Sequence, residues 1–231
     1  MKYLWLTTIP LLLGGAALNG APCGAGTLAG YVSLGATGCT LGSVNFTQFA
    51  IVPGQNFATV INPANVTVTP GGDATNSMLR LGLNQTANAG DLIDLIFRVR
   101  ASGALTGASV TLNQASAANG GLVFGFLDVC ANGNFAGTSP TQCPTTAKTA
   151  LALAVSGGPN DYTDAVTFPT SNFFDIFFEV SLDGSTGTAS LQSATLGVNA
   201  ISAAAIPEPS TTALVVLGIL AIGLLRSRRQ Q

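Results

Sequence analysis

The carboxylates are the first residues to ask about, because cleaving a glycosidic bond takes two of them flanking one sugar linkage. Asp175 and Glu179 stand four apart, which on one extended strand places them on the same face about 13 Å apart at ~3.3 Å per residue. That exceeds the ~5–9.5 Å such enzymes use, so the pair reads as the solvated face of a strand. Asp91 and Asp94 are three apart and fall on opposite faces, with Asp91 closing a turn. Triads of the Ser-His-Asp or Cys-His kind are excluded, because the chain has no histidine. Calcium suits the oxygens better: Asp128, Asn132 and Asn134 gather around Gly133, and hard oxygen ligands are what Ca²⁺ takes. Cys130 stands where an EF-hand would need Asp or Asn. Asn160-Asp161-Tyr162-Thr163-Asp164 has similar chemistry. The plainer reading of both loops is turn formation by Asn, Asp and Gly.

Four cysteines, Cys23, Cys39, Cys130 and Cys143, have no CxxC spacing and no histidine to make a zinc site with. Four cysteines allow three pairings. The two short loops favour Cys23–Cys39 and Cys130–Cys143, each bridge constraining the unfolded chain by roughly 3 kcal/mol.

The elements that must position these groups are short alternating runs broken by Gly, Asn, Pro and Ser. Thr27–Leu34, Ser43–Val52, Val66–Thr69, Met78–Leu83, Asp91–Arg100, Ala108–Gln114, Leu122–Val129, Thr149–Val155, Phe173–Leu182 and about Thr188–Ala200 read as strands. In Asp91–Arg100, Leu95, Phe97 and Val99 face one way, Asp94, Arg98 and Arg100 the other. In Phe173–Leu182, Phe174, Ile176, Phe178, Val180 and Leu182 form one face, with Asp175, Glu179 and Ser181 opposite. A turn at Asp183-Gly184 follows. No sustained helical period occurs between the two ends of the chain. The expected fold is all-β: an antiparallel β-sandwich, jelly-roll-like, over residues 22–204, with an open barrel as the alternative.

Only 8% of the residues are charged. Between the terminal segments, four basic residues (Arg80, Arg98, Arg100, Lys148) face nine acidic ones, a net charge of −5. Such a surface lacks the cationic stripe that neutralises phosphates, so nucleic acid is not an expected partner. Asn, Gln, Ser and Thr must supply solubility, a surface that hydrogen-bonds well with sugars.

The two ends read as addresses. Residues 1–21 run from Lys2 through the apolar Tyr3–Leu13 to small residues, the order of a secretory signal peptide. Residues 205–231 hold Pro207-Glu208-Pro209, an apolar run Thr211–Leu225, and Arg226, Arg228 and Arg229. The two prolines make a stiff, extended preface. As a helix, the 15-residue run spans about 22 Å at ~1.5 Å per residue, short for a ~30 Å bilayer core. The arginines hold its end in the cytoplasm, leaving the domain in the periplasm.

In order and spacing this tail resembles the PEP-CTERM sorting signal of Gram-negative bacteria, over about 25 of the 231 residues. The resemblance implies recognition by an exosortase, cleavage near the motif, and transfer to the cell surface or an extracellular matrix, often one of exopolysaccharide or biofilm. The membrane helix would be a transient anchor. For the domain itself, the expectation is a structural or interaction role without enzymatic activity. A lectin-like module using Tyr31, Tyr162 or Phe135 is the alternative, and a glycan-active enzyme is a more distant third.

Overall fold

The computed structural model of the protein describes residues 20–54, 58–136 and 143–201. The expected signal peptide up to residue 19 lies outside the described residues, as does the tail with Pro207, Glu208, Pro209, Arg226, Arg228 and Arg229. Among the described residues, no helix is long and apolar enough to cross a membrane.

The architecture is all-β and mostly antiparallel, as the alternating pattern predicts. Among the described residues, eleven strands share one hydrogen-bonded network: β1 (Gly26–Thr27), β2 (Cys39–Leu41), β3 (Val44–Ile51), β4 (Thr59–Val60), β5 (Thr67–Gly72), β6 (Asn76–Ala87), β7 (Leu92–Ala118), β8 (Leu122–Ala131), β9 (Thr146–Val155), β10 (Thr163–Asp183) and β11 (Thr188–Ala200). The short β4 runs parallel to β7.

Two long strands fold this network over on itself, like a sandwich. The first part of β7 (92–102) pairs with β3 and with residues 173–183 of β10, which in turn pairs with β8 and through it β9. The second part (105–118) pairs with β11, which leads to β6, β5 and β1. The bend in β7 is at Gly103, whose φ of 149° only glycine adopts readily. The register of β10 shifts at the corresponding height, between Thr167 and Phe173. The inward faces of the two layers meet in one core. A Cβ placed on Gly125 of the first layer would come within 2.8 Å of Val110 and 3.0 Å of Leu112 in the second.

That core is built from the predicted strand faces. Leu95, Phe97, Val99, Phe174, Ile176, Phe178, Val180 and Leu182 are buried in one cluster with Val110, Leu196 and Val198. An aromatic row crosses it: Tyr31 packs edge-on to Phe49 at 5.2 Å between centroids, Phe49 stacks on Phe97, and Phe97 meets Phe178 at 5.3 Å.

Thr27–Leu34 corrects the strand expectation. It is a short helix, α1 (Leu28–Ser33), whose N-cap Thr27 accepts a hydrogen bond at Oγ1 from Gly30 N at 3.1 Å. Leu28 and Tyr31, three apart, are its buried residues, which is the helical spacing.

Both cysteine pairs form as the short loops suggested. Cys23–Cys39 ties the N-terminal segment to β2, with Cα atoms 4.8 Å apart. Cys130–Cys143 ties the end of β8 to the approach to β9, with Cα atoms 5.6 Å apart. The described ends of the chain lie on one side of the molecule. Ala21 O accepts from Thr40 N, and Ile201 N donates to Ala104 O at 2.8 Å. Thr40, Asn45 and Ser102 are register neighbours across β2, β3 and β7, about two strand spacings, or ~10 Å, in all.

Candidate functional site

The outer face of the first layer holds most of the acids singled out above, and it is not the solvated face their spacing suggests. Asp175 is only 5% exposed. Its carboxylate pairs with the Arg98 guanidinium and accepts from Phe135 N at 2.8 Å. Arg98 also donates to Phe135 O at 3.2 Å. Asp94 is wholly buried and accepts from the Ser181 hydroxyl at 2.6 Å. Around them, Val52, Ile96, Cys130, Phe135 and Phe177 make a second small core. Chain that enters from far away in sequence, at Val52 and Phe135, covers this face, so Asp94 and Asp175 are satisfied by protein donors rather than by water. Asp91 lies in the turn, as expected, accepting from Asn88 N.

The calcium oxygens do not converge. Asp128 sits in mid-β8 and accepts from the Thr149 hydroxyl; burial pushes its carboxyl above the usual range, against the effect of that bond. Asn132 is four residues on, about 13 Å along an extended strand, and its Oδ1 accepts from Asn172 N at 2.8 Å. Asn134 accepts from Arg100. Each oxygen therefore has its own structural task. In the second loop, Asn160 accepts from Val155 N and Asp164 from Leu151 N, both at 2.8 Å. Among the described residues, no group of three His, Cys, Asp or Glu is placed to hold a metal.

Of the three aromatics expected to offer a sugar platform, two are in the interior. Tyr31 is 4% exposed, with its hydroxyl donating to Gly24 O at 2.7 Å and its ionisation pushed up by burial. Phe135 is 3% exposed, inside the second small core. Both are corrections: each ring is sequestered by packing that the linear sequence did not reveal. Tyr162 is the exception, at 41% exposure.

Tyr162 opens onto the outer face of the second layer, which is wet and polar. Along one row, register places Thr69, Arg80, Thr195, Thr111 and Thr163 side by side across five strands. The adjacent row is Thr67, Gly82, Ser193 and Asn113. Gly82 keeps that row low, since a Cβ there would collide with the Thr67 hydroxyl. The side chains brace one another: Arg80 Nε donates to Ser193 Oγ at 2.9 Å, and Asn113 Nδ2 donates to Thr195 Oγ1 at 3.0 Å. Thr111 and Thr163 share a hydroxyl–hydroxyl bond. The result is an open concavity of about 540 Å³, lined by Arg80, Leu112, Asn113, Gln114, Ala115 and Tyr162. A second hollow of about 230 Å³ adjoins it on the other side of Arg80.

Sequence reasoning singled out Tyr162 but missed Arg80, Asn113 and Gln114. The available signal was weak: Thr, Ser and Asn recur at alternate positions of strands distant in sequence, and only the register assembles them. Compared with models of known protein families, with curated proteins and with solved structures, the chain finds no match.

Proposed function

We propose that the protein is an exported cell-surface or matrix protein of a Gram-negative bacterium, held briefly in the inner membrane by its tail and then released to the surface by an exosortase. The observation that carries this is the order of parts in residues 207–231: Pro207-Glu208-Pro209, an apolar run to Leu225, then Arg226, Arg228 and Arg229. Two disulfides suit an oxidising compartment outside the cytoplasm. Because Ala21 and Ile201 leave the domain on the same side, a C-terminal tether would hold that side toward the membrane and turn the opposite loops outward. We read the domain as a jelly-roll-like sandwich, on the two long strands that serve both layers, with a structural or interaction role in an exopolysaccharide or biofilm matrix and no catalysis. The test is to follow the protein in cells with and without an active exosortase. Surface release only in the former is expected; identical release in both contradicts the proposal.

The second reading is a carbohydrate-binding module. It is favoured by the concavity between Arg80 and Tyr162, where amides, hydroxyls and one exposed ring line a shallow open hollow. Sugar sites use the same combination: polar groups for the hydroxyls and an aromatic face for the apolar side of the ring. Saturable binding in a glycan array, lost in Tyr162→Ala, would support it.

A further inference from the structure

We infer that this concavity takes an acidic sugar, with a uronate carboxylate seated on Arg80 and a neutral sugar ring stacked on Tyr162. The inference rests on the carbohydrate-binding reading and gives it a ligand class and a direction. Three observations carry it.

Arg80 is exposed, and its Nε donates to Ser193 Oγ, which fixes one edge of the guanidinium and leaves the end-on fork between its two terminal nitrogens for an anion. Among the described residues, neither hollow beside it is lined by a carboxylate. The other three cations of the domain are occupied elsewhere. Arg98 pairs with Asp175, Arg100 meets Asn134 and the Phe173 ring, and Lys148 donates to Thr167 O beneath the Phe168 ring. In a domain with a net charge of −5, a positioned arginine in an acid-free hollow is a site for a planar anion. Its fork matches a carboxylate in particular.

At the far end, Asp161 and Asp164 lie close to Tyr162 in sequence but outside the lining of the hollow, so an anion is less favoured there than at Arg80 and the exposed ring is left for a neutral group. Arg80 and Thr163 are three strands apart in one register row, about 14 Å at ~4.8 Å per strand, so the hollow spans about two to three sugar rings. Asn113 and Gln114 line the path between and can meet ring hydroxyls. The occupant is thus a short stretch of an acidic polysaccharide lying across the strands.

The test is calorimetric titration of the full-length protein, in detergent, with trimers of galacturonate, glucuronate and mannuronate, their methyl esters, and a short polyglutamate peptide. At least one acid trimer should bind, and its ester, which masks the charge with a small methyl group, should bind roughly tenfold more weakly or worse. Arg80→Gln should remove that discrimination and Arg80→Lys restore part of it, while Tyr162→Ala should weaken acid and ester alike. Both positions are exposed, so unchanged melting temperatures are expected and are checked first. Equal binding of acid and ester would overturn the acidic-sugar inference while leaving the carbohydrate reading intact. Binding of no trimer would overturn both. Polyglutamate binding as tightly as the best trimer would show a carboxylate site for protein rather than sugar.

Discussion

The two faces of one sheet make the instructive contrast in this molecule. On β10, Phe174, Ile176, Phe178, Val180 and Leu182 turn inward and are essentially dry, while Asp175, Phe177 and Ser181 turn outward and are buried all the same. The inner face is covered by the opposite layer and holds through apolar contact. The outer face is covered by stretches of chain around Val52 and Phe135 and holds through an ion pair, a buried hydroxyl–carboxylate bond and a disulfide. Burial alone therefore does not distinguish the faces. What distinguishes them is how each is held, by apolar contact inside and by paired polar groups and a disulfide outside.

Substitutions can break this comparison, the largest effect first. Phe178→Ala empties a fully buried site between Phe97 and the other layer, and chemical denaturation should show a loss of about 3–5 kcal/mol. On the outer face, Asp175→Ala removes a carboxylate that pairs with Arg98 and the acceptor of Phe135 N. A loss of about 2–4 kcal/mol is expected for so few atoms; a loss below ~0.5 kcal/mol, the range of ordinary surface substitutions, would mean this face is solvated after all. The paired change Arg98→Met with Asp175→Asn sharpens the point. It removes both charges while keeping an acceptor for Phe135 N, so it should cost less than Asp175→Ala alone, about 1 kcal/mol.

Asp128 gives the smallest effect and the opposite sign. Its folded carboxyl titrates above the usual range because it is buried, despite the Thr149 bond. The folded state thus holds this proton more tightly than the unfolded chain does. Stability falls as pH rises from the ordinary aspartate range through the raised folded value, and the penalty stays in force above it. Asp128→Asn removes that fall, so melting curves should show the variant gaining on the wild type as pH rises above the ordinary aspartate range. Asp73 is the ordinary case. The Thr75 hydroxyl, with the amides of Thr75 and Asn76, holds its carboxyl low, a contribution present at neutral pH and lost as pH falls through that lowered value.

Much of the inner face was legible, because alternation over Leu95–Val99 and Phe174–Leu182 needs only local reading. The two cysteine loops were legible for the same reason. Bends were harder. Gly103 and Pro169 look like the ends of strands, but β7 and β10 run through both positions and change layers there. Helix α1 was missed although Thr27 is a good cap, since two apolar residues three apart are too few to set a period. The outer-face network and the Arg80 concavity were beyond local reading. Arg98 meets Asp175 across 77 residues, and Arg80 meets Ser193 across 113, and such pairs exist only once the register is known.

The claim that ties the domain to its tail is that the chain is exported, oxidised and trimmed at both ends. An intact-mass measurement on protein recovered from the cell surface tests all three together. The expected mass lacks the N-terminal signal, is lighter by four hydrogens for the two disulfides, and lacks Arg226, Arg228 and Arg229. A surface-recovered protein that still carries those arginines would contradict the account.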